Sequence, residues 1–186
     1  NVWFGGSEAA DAICDVVFGD VSPSGKLTTT FPKNVGQIPL YYNHLNTGRP
    51  DPDNHVFNRY AGNYLDESNE PLYPFGYGLS YTGFAYDEMT VEDKPDEIQV
   101  KLSVTNTGHC EGDEVIQLYV HKMDSRVVRP IRTLKDFVRI KNVRPGETRK
   151  VTLCAKKQEL RYYDVISGQM LLEDGGYLFE VGASSV

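Results

Sequence analysis

The 186-residue sequence is poor in cysteine, methionine and tryptophan, with three, three and one of each. Cys14, Cys110 and Cys154 form an odd set with no CxxC pair and no histidine at metal-ligand spacing. That excludes a disulfide framework, allows at most one bridge, and gives no reason to expect a metal. Basic charge is in deficit: 19 Lys and Arg stand against 26 Asp and Glu, for a net charge of -7. Phosphate binding needs a positive surface, so nucleic acid is not expected as a partner. No apolar run approaches the ~20 residues of a membrane-spanning helix, so no membrane partner is expected either. Motifs of catalysis and cofactor binding are absent too. There is no GxSxG elbow, and the glycines of FGYGLS do not lead into a helix as a phosphate loop requires. Asp51, Asp53 and His55 imitate the start of a calcium loop, but Val56 and Gly62 stand where its glycine and glutamate belong. His44, His55, His109 and His121 are scattered. The residues present therefore imply no cofactor and no metal.

What is abundant is glycine, proline and tyrosine, with 17, 10 and 12 residues. They concentrate in Leu72–Thr82, LYPFGYGLSYT, which holds three Tyr and one Phe and no charge. Pro74, Gly76 and Gly78 break any long helix or strand there, since proline fixes φ and glycine takes angles that other residues resist. Such a stretch is either a turn packed into a joint between larger units or an aromatic platform for a ligand. Charge is also uneven. Thirteen of the 19 basic residues lie between Lys122 and Arg161 against four acidic ones, so that segment is +9 and the remainder -16. This is either a solvated sheet face or a docking surface for acidic neighbours.

Along the chain, Asn1–Gly6 resembles the end of a buried strand running into a loop. Ser7 as N-cap, Glu8 in the first turn and Gly19 as stop predict a helix over Ser7–Phe18, with Ala9, Ala10, Ile13, Val16 and Val17 on its apolar face. Cys14 on this helix reads as a small core residue. Asp20–Gly25 is a turn, and Lys26–Phe31 alternates like a short strand. One helix and one strand cannot bury both faces of a sheet, so they read as a piece of a larger α/β layer whose other strands precede Asn1. From Pro32 to Pro71 periodicity is lost. Tyr41, Tyr42, Phe57, Tyr60 and Tyr64 argue against a free linker and for an extended segment lying over other surfaces. After Thr82 the period becomes 2. Phe84 and Tyr86 are followed by Met89 and Val91 on the opposite parity, which predicts a bulge near Asp87. Ile98–Val104, Val115–Val120, Leu134–Lys141, Arg149–Ala155, Leu160–Tyr163, Gln169–Leu172 and Tyr177–Val181 complete an antiparallel β-sandwich of about 100 residues. The expected fold is mainly β, an immunoglobulin-like sandwich preceded by a partial α/β unit and a long irregular connector.

Six pieces, in order, carry a resemblance: GSEAADAICDVVFGDVSPSGKLTTTFP, VGQIPLYYNHLNTGRP, LYPFGYGLSYTGFAYDEM, VTNTGHCEGDEVIQLYV, RPIRTLKDFVRIKNVRPGETRKVTL and LRYYD. Together they resemble the C-terminal part of glycoside hydrolase family 3, the bacterial β-glucosidase and β-xylosidase type. Asp11 and Gly83 depart from the family's usual Asn and Thr. The resemblance implies three units: 1–35 as the remnant of an α/β sandwich, 36–83 as an aromatic connector, and 84–186 as a fibronectin type III-like module. It also implies a periplasmic or secreted parent that removes terminal β-D-glycosyl units. The partners it implies are the parent's catalytic barrel and upstream α/β sandwich, with a β-glycoside or oligosaccharide as substrate through the parent.

Retaining hydrolysis needs two carboxyl groups about 5–5.5 Å apart. The family's nucleophile and acid/base motifs do not occur in this sequence, so no catalytic residue is expected. Asp66, Glu67 and Glu70 read as solvated loop carboxylates. Expected contacts at a cleft rim are Tyr42, Asn43, His44, Arg49, Arg59 and Asp66. Tyr73, Phe75, Tyr77 and Tyr81 are expected at an inter-domain seam, the reading of Leu72–Thr82 that the resemblance favours over a sugar platform. A free-standing fibronectin-like module for carbohydrate binding or adhesion is the alternative, against which the orphan helix and strand count.

Overall fold

The structure is a computed structural model that describes residues 1–46, 48–49, 60–64 and 66–186. Among the described residues one α-helix, α1 (Ala9–Phe18), is followed by eight strands: β1 (Phe84–Asp93), β2 (Glu97–Asn106), β3 (Gly112–Lys122), β4 (Thr133–Val143), β5 (Thr148–Lys156), β6 (Tyr162–Asp164), β7 (Gln169–Leu171) and β8 (Tyr177–Gly182). The sheets are β1-β2-β5 and β4-β3-β8, antiparallel throughout, with β6 and β7 paired as a separate hairpin.

Strict alternation drives this sandwich. Val100, Leu102 and Val104 of β2 and Val151, Leu153 and Ala155 of β5 point one way. They meet Ile116, Leu118 and Val120 of β3, and Leu160 closes the end. Each fully buried aliphatic side chain contributes roughly 1.5–3 kcal/mol, so this two-sided layer is the main source of stability. The parity change after Tyr86 is a bulge: the β1/β2 register shifts between Asp87 and Thr90, and Glu88 takes φ 56°. The β4–β5 turn closes with Asn142 at φ 53° and Gly146 at φ 76°.

Two local expectations change in detail. Glu8, not Ser7, stands at the helix N-cap, and no side chain caps it. Gly19 does end α1 in the left-handed region, donating its N–H to Val16 O at 3.2 Å. Lys26–Phe31, expected as a strand, bends at Thr28–Thr29 and builds no ladder; Phe31 makes a single antiparallel bridge to Tyr73. Its remaining hydrogen bonds go to the Leu72–Thr82 stretch, whose glycines and proline cannot sustain a regular strand. No residue of α1 is buried, and Trp3, Phe4, Val17 and Phe18 lie open. Cys14, read as a core residue, is exposed for the same reason, and all three cysteines are free. Among the described residues no helix is long and apolar enough to cross a membrane.

Candidate functional site

The stretch Leu72–Thr82 lies between the N-terminal unit and the sandwich and is hydrogen-bonded to both. On one side Leu27 N donates to Tyr77 O (2.8 Å), Gly76 N to Leu27 O (2.7 Å) and Phe31 N to Tyr73 O (2.9 Å). Tyr81 Oη donates to Val16 O at 2.6 Å, tying the stretch to α1, and Ser80 and Ser22 share a hydroxyl hydrogen bond. On the other side it meets β3. Gln117 Nε2 donates to Gly76 O (3.2 Å) and Ala183 O (2.7 Å), while its Oε1 accepts from Tyr119 Oη at 2.5 Å. Ser185 N donates to Phe75 O at 2.9 Å. Below, Thr82 Oγ1 donates to the fully buried Asn106, whose Nδ2 holds Cys110 O and Val143 O.

The four expected seam residues divide by environment. Phe75 is half-buried and stacks on Tyr42 at 4.3 Å between ring centroids; Tyr42 in turn meets Tyr119 edge-on at 5.9 Å. Tyr73 stacks on Tyr77 at 5.0 Å, and Phe31 and Trp3 extend the row. Offset and edge contacts of this kind add to the apolar burial. Tyr81 is half exposed but spends its hydroxyl on α1. Burial pushes the Tyr119 phenol up, so it remains a neutral donor.

Charge also crosses the joint. Lys26 Nζ lies 3.0 Å from Glu114 Oε1, both side chains nearly buried. Tyr86 is packed beside the same carboxylate, and burial, then Glu114, raises its pKa. Arg139 donates to Ser24 Oγ (2.7 Å) while paired with Asp113 at 2.6 Å.

The expected rim residues do not act as one cluster. Tyr42 is committed to packing, with its hydroxyl accepting from Leu134 N at 3.3 Å. His44 Nδ1 contacts Leu45 O at 3.0 Å, and its own carbonyl accepts from Ile131 N, so this part of the connector pairs with the β3–β4 loop. Asn43, Arg49 and Asp66 are exposed. Arg59 lies outside the described residues, as do Asp51, Asp53, His55, Val56 and Phe57. Glu67 is paired with Lys33 at 3.2 Å; the Ser68 N–H and then Lys33 hold its carboxyl below the usual range. Among the described residues no group of His, Cys, Asp and Glu has the makings of a metal site.

Sequence reasoning missed the three amides that organise this region. Asn106 and Gln117 act as above. Gln37 is 1% exposed, donates to Ser68 O and Glu70 O, and accepts from Lys33 N at 2.6 Å. A signal existed for one of them: Gln117 is the lone polar residue in the apolar run VIQLYV.

Residues 1–81 match the glycosyl hydrolase family 3 C-terminal domain, and residues 114–185 match the fibronectin type III-like domain. The chain is 45% identical over 169 residues to a periplasmic beta-glucosidase of Salmonella typhimurium, covering 88% of this chain and 22% of that protein. It is 40% identical over 189 residues to a beta-xylosidase of Formosa agariphila, covering 100% of this chain and 25% of that one. Among solved structures, the beta-glucosidase of Listeria innocua in complex with glucose superposes with a TM-score of 0.88 at 37% identity, over 100% of this chain and 26% of that one. The chain thus spans about a quarter of the length of the relatives it matches. With both domain families in tandem on one chain, and their junction at the seam just described, the chain belongs to glycosyl hydrolase family 3, of which it carries the C-terminal domain and the fibronectin type III-like domain.

Proposed function

We propose that this chain is the non-catalytic bracing segment of a retaining, exo-acting β-glycosidase of the β-glucosidase/β-xylosidase type. The observation that carries this reading is the seam itself. Leu72–Thr82 exchanges backbone hydrogen bonds with Leu27 and Phe31 on one side and accepts them from the Gln117 side chain and the Ser185 N–H on the other, while Phe75 and Tyr42 stack on each other. A stretch so engaged fixes two units against each other; it does not offer a sugar platform. Residues 1–35, 36–83 and 84–186 are then remnant, connector and module. The open apolar residues Trp3, Phe4, Val17 and Phe18 suit packing against the parent's upstream α/β sandwich and barrel.

Retaining hydrolysis would proceed in the parent by two displacements at a pair of carboxyl groups, and several of this chain's carboxylates are placed for other work. Glu67 and Glu114 are ion-paired, and Glu173 is locked in a hydrogen-bond cluster. The exposed Asn43, His44, Arg49 and Asp66, with Arg59, are the residues we assign to the cleft rim. A periplasmic or secreted location follows the Salmonella relative, which is named periplasmic.

The test is turnover of aryl β-glucosides and β-xylosides by the purified chain and by the full-length parent. The reading expects none from the chain and activity from the parent. Turnover that co-purifies with the chain, or a parent inert on both substrates, would overturn it.

A further inference from the structure

The inner face of the β4-β3-β8 sheet carries a feature that bracing does not use. Alternation along β3 turns Ile116, Leu118 and Val120 into the core, and Lys122 follows in the same parity and is only 6% exposed. Next to it, Lys135 falls where the β3/β4 register shifts, between Asp136 opposite Leu118 and Leu134 opposite Tyr119. Both lysines line one cavity of about 60 Å³, together with Arg129, Glu159, Thr133, Leu160 and Tyr177.

The charges around this cavity do not balance. Arg129 is matched by Glu173 at 3.2 Å, and that carboxylate is filled by Ser125 Oγ and Arg126 N, each at 2.7 Å. The Glu159 carboxylate also lines the cavity and is shared with Lys156 at 4.0 Å, so Lys122, Lys135 and Arg129 outnumber the two carboxylates, Glu159 and Glu173. Among the described residues Lys122 and Lys135 belong to no ion pair. Lys122 Nζ donates to Met123 O at 2.6 Å and sits 5.2 Å from the centroid of Tyr177; Lys135 Nζ donates to Glu159 O at 2.8 Å. An ammonium has three donors, so each keeps N–H groups to spare beside a void. Burial depresses the Lys135 pKa, with the Glu159 carboxylate opposing and Arg129 adding to the shift. Of the two, Lys122 is buried, and a desolvated charge outside ion-pair range is costly.

We infer that this cavity is a site for one small monovalent inorganic anion of halide size, held between Lys122, Lys135 and Arg129. A cavity of this size admits a halide or a water molecule and excludes a sugar or a larger oxyanion such as sulfate with its shell. Cations on two strands and a loop converge there, so the bound anion would clamp the β3–β4 loop to the sandwich end.

The experiment is thermal unfolding of the 186-residue chain in sodium bromide or sodium gluconate at equal ionic strength. A saturable bromide-specific rise in Tm of about 3–6 °C is expected. It disappears in Lys135→Gln and persists in Lys156→Gln, whose charge lies outside the cavity. Equal curves in the two salts, or a bromide response that survives Lys135→Gln, would overturn the proposal. Should Lys135→Gln fail to fold, anomalous scattering from bromide-soaked crystals of the unaltered chain decides: a peak between the three cations supports the site, and an empty cavity refutes it.

Discussion

Gly76→Ala is the sharpest probe of the seam. Gly76 has φ 80°, in the left-handed region where a Cβ costs about 1–2 kcal/mol. The added methyl would overlap Gln117 Oε1 and lie 2.9 Å from both Cδ and Nε2 of that side chain. A free glutamine could swing away, but Gln117 is 3% exposed and fixed by Gly76 O, Ala183 O and Tyr119 Oη. Moving it forfeits two or three hydrogen bonds at about 1–1.5 kcal/mol each. The sum is about 3–6 kcal/mol, a large share of the 5–15 kcal/mol typical of a folded protein. Urea unfolding of the chain would show it as a lower midpoint at unchanged slope. The double variant Gly76→Ala/Gln117→Ala isolates the cause. With the amide gone, Gly76→Ala should cost only the backbone term of about 1–2 kcal/mol. A single-variant cost below about 1 kcal/mol, or strict additivity in the cycle, would refute the argument.

Phe75→Ala removes the stack on Tyr42 and should destabilise the full-length enzyme by about 2–4 kcal/mol while leaving KM nearly unchanged; a KM shift without loss of Tm would revive the sugar-platform reading. For Glu173, burial pushes the carboxyl up, but the Arg126 N–H, Ser125, Lys122 and Arg129 outweigh it and hold the folded pKa below 4.5. Its contribution is therefore complete above pH 4.5 and is lost as pH falls through the lowered value. Glu173→Gln should cost about 2 kcal/mol at neutral pH and flatten the acid limb of a stability profile below pH 4.5; parallel acid limbs would contradict this. Arg59→Ala and Asp66→Ala in the full-length enzyme should raise KM with little change in kcat if the connector rims the cleft, and unchanged kinetics would retire that assignment.

The sandwich was legible because its energetics are periodic. Ile98–Val104 and Val115–Val120 announce their buried faces at a spacing of two, and the parity break after Tyr86 marks a real bulge. The same logic reached Phe75 but could not see its partner, since Tyr42 lies 33 residues away in a segment without periodicity. Gln37, Asn106 and Lys26 were illegible for a related reason. Each acts by meeting a carbonyl or carboxylate brought in from distant chain, and one polar residue carries no trace of that appointment. Ile13, Val17 and Cys14 are exposed although the apolar pattern of α1 predicts a packed face, because periodicity reports which side is apolar and not what lies against it.

One property of β3 bears on how such a module can be handled. Even positions such as Ile116 and Leu118 face the sandwich interior, while odd positions Gln117 and Tyr119 are buried under the connector. A saturation mutational scan should therefore lose its usual every-other-residue rhythm along this strand, with intolerance on both parities. Excising the fibronectin-like portion at residue 84 would also strip that second cover, baring Tyr119 and taking Gly76 O from the Gln117 amide. The module is thus not portable: transplanted alone, it carries a raw outer face, and fusion designs that retain it need the chain from Tyr42 onward.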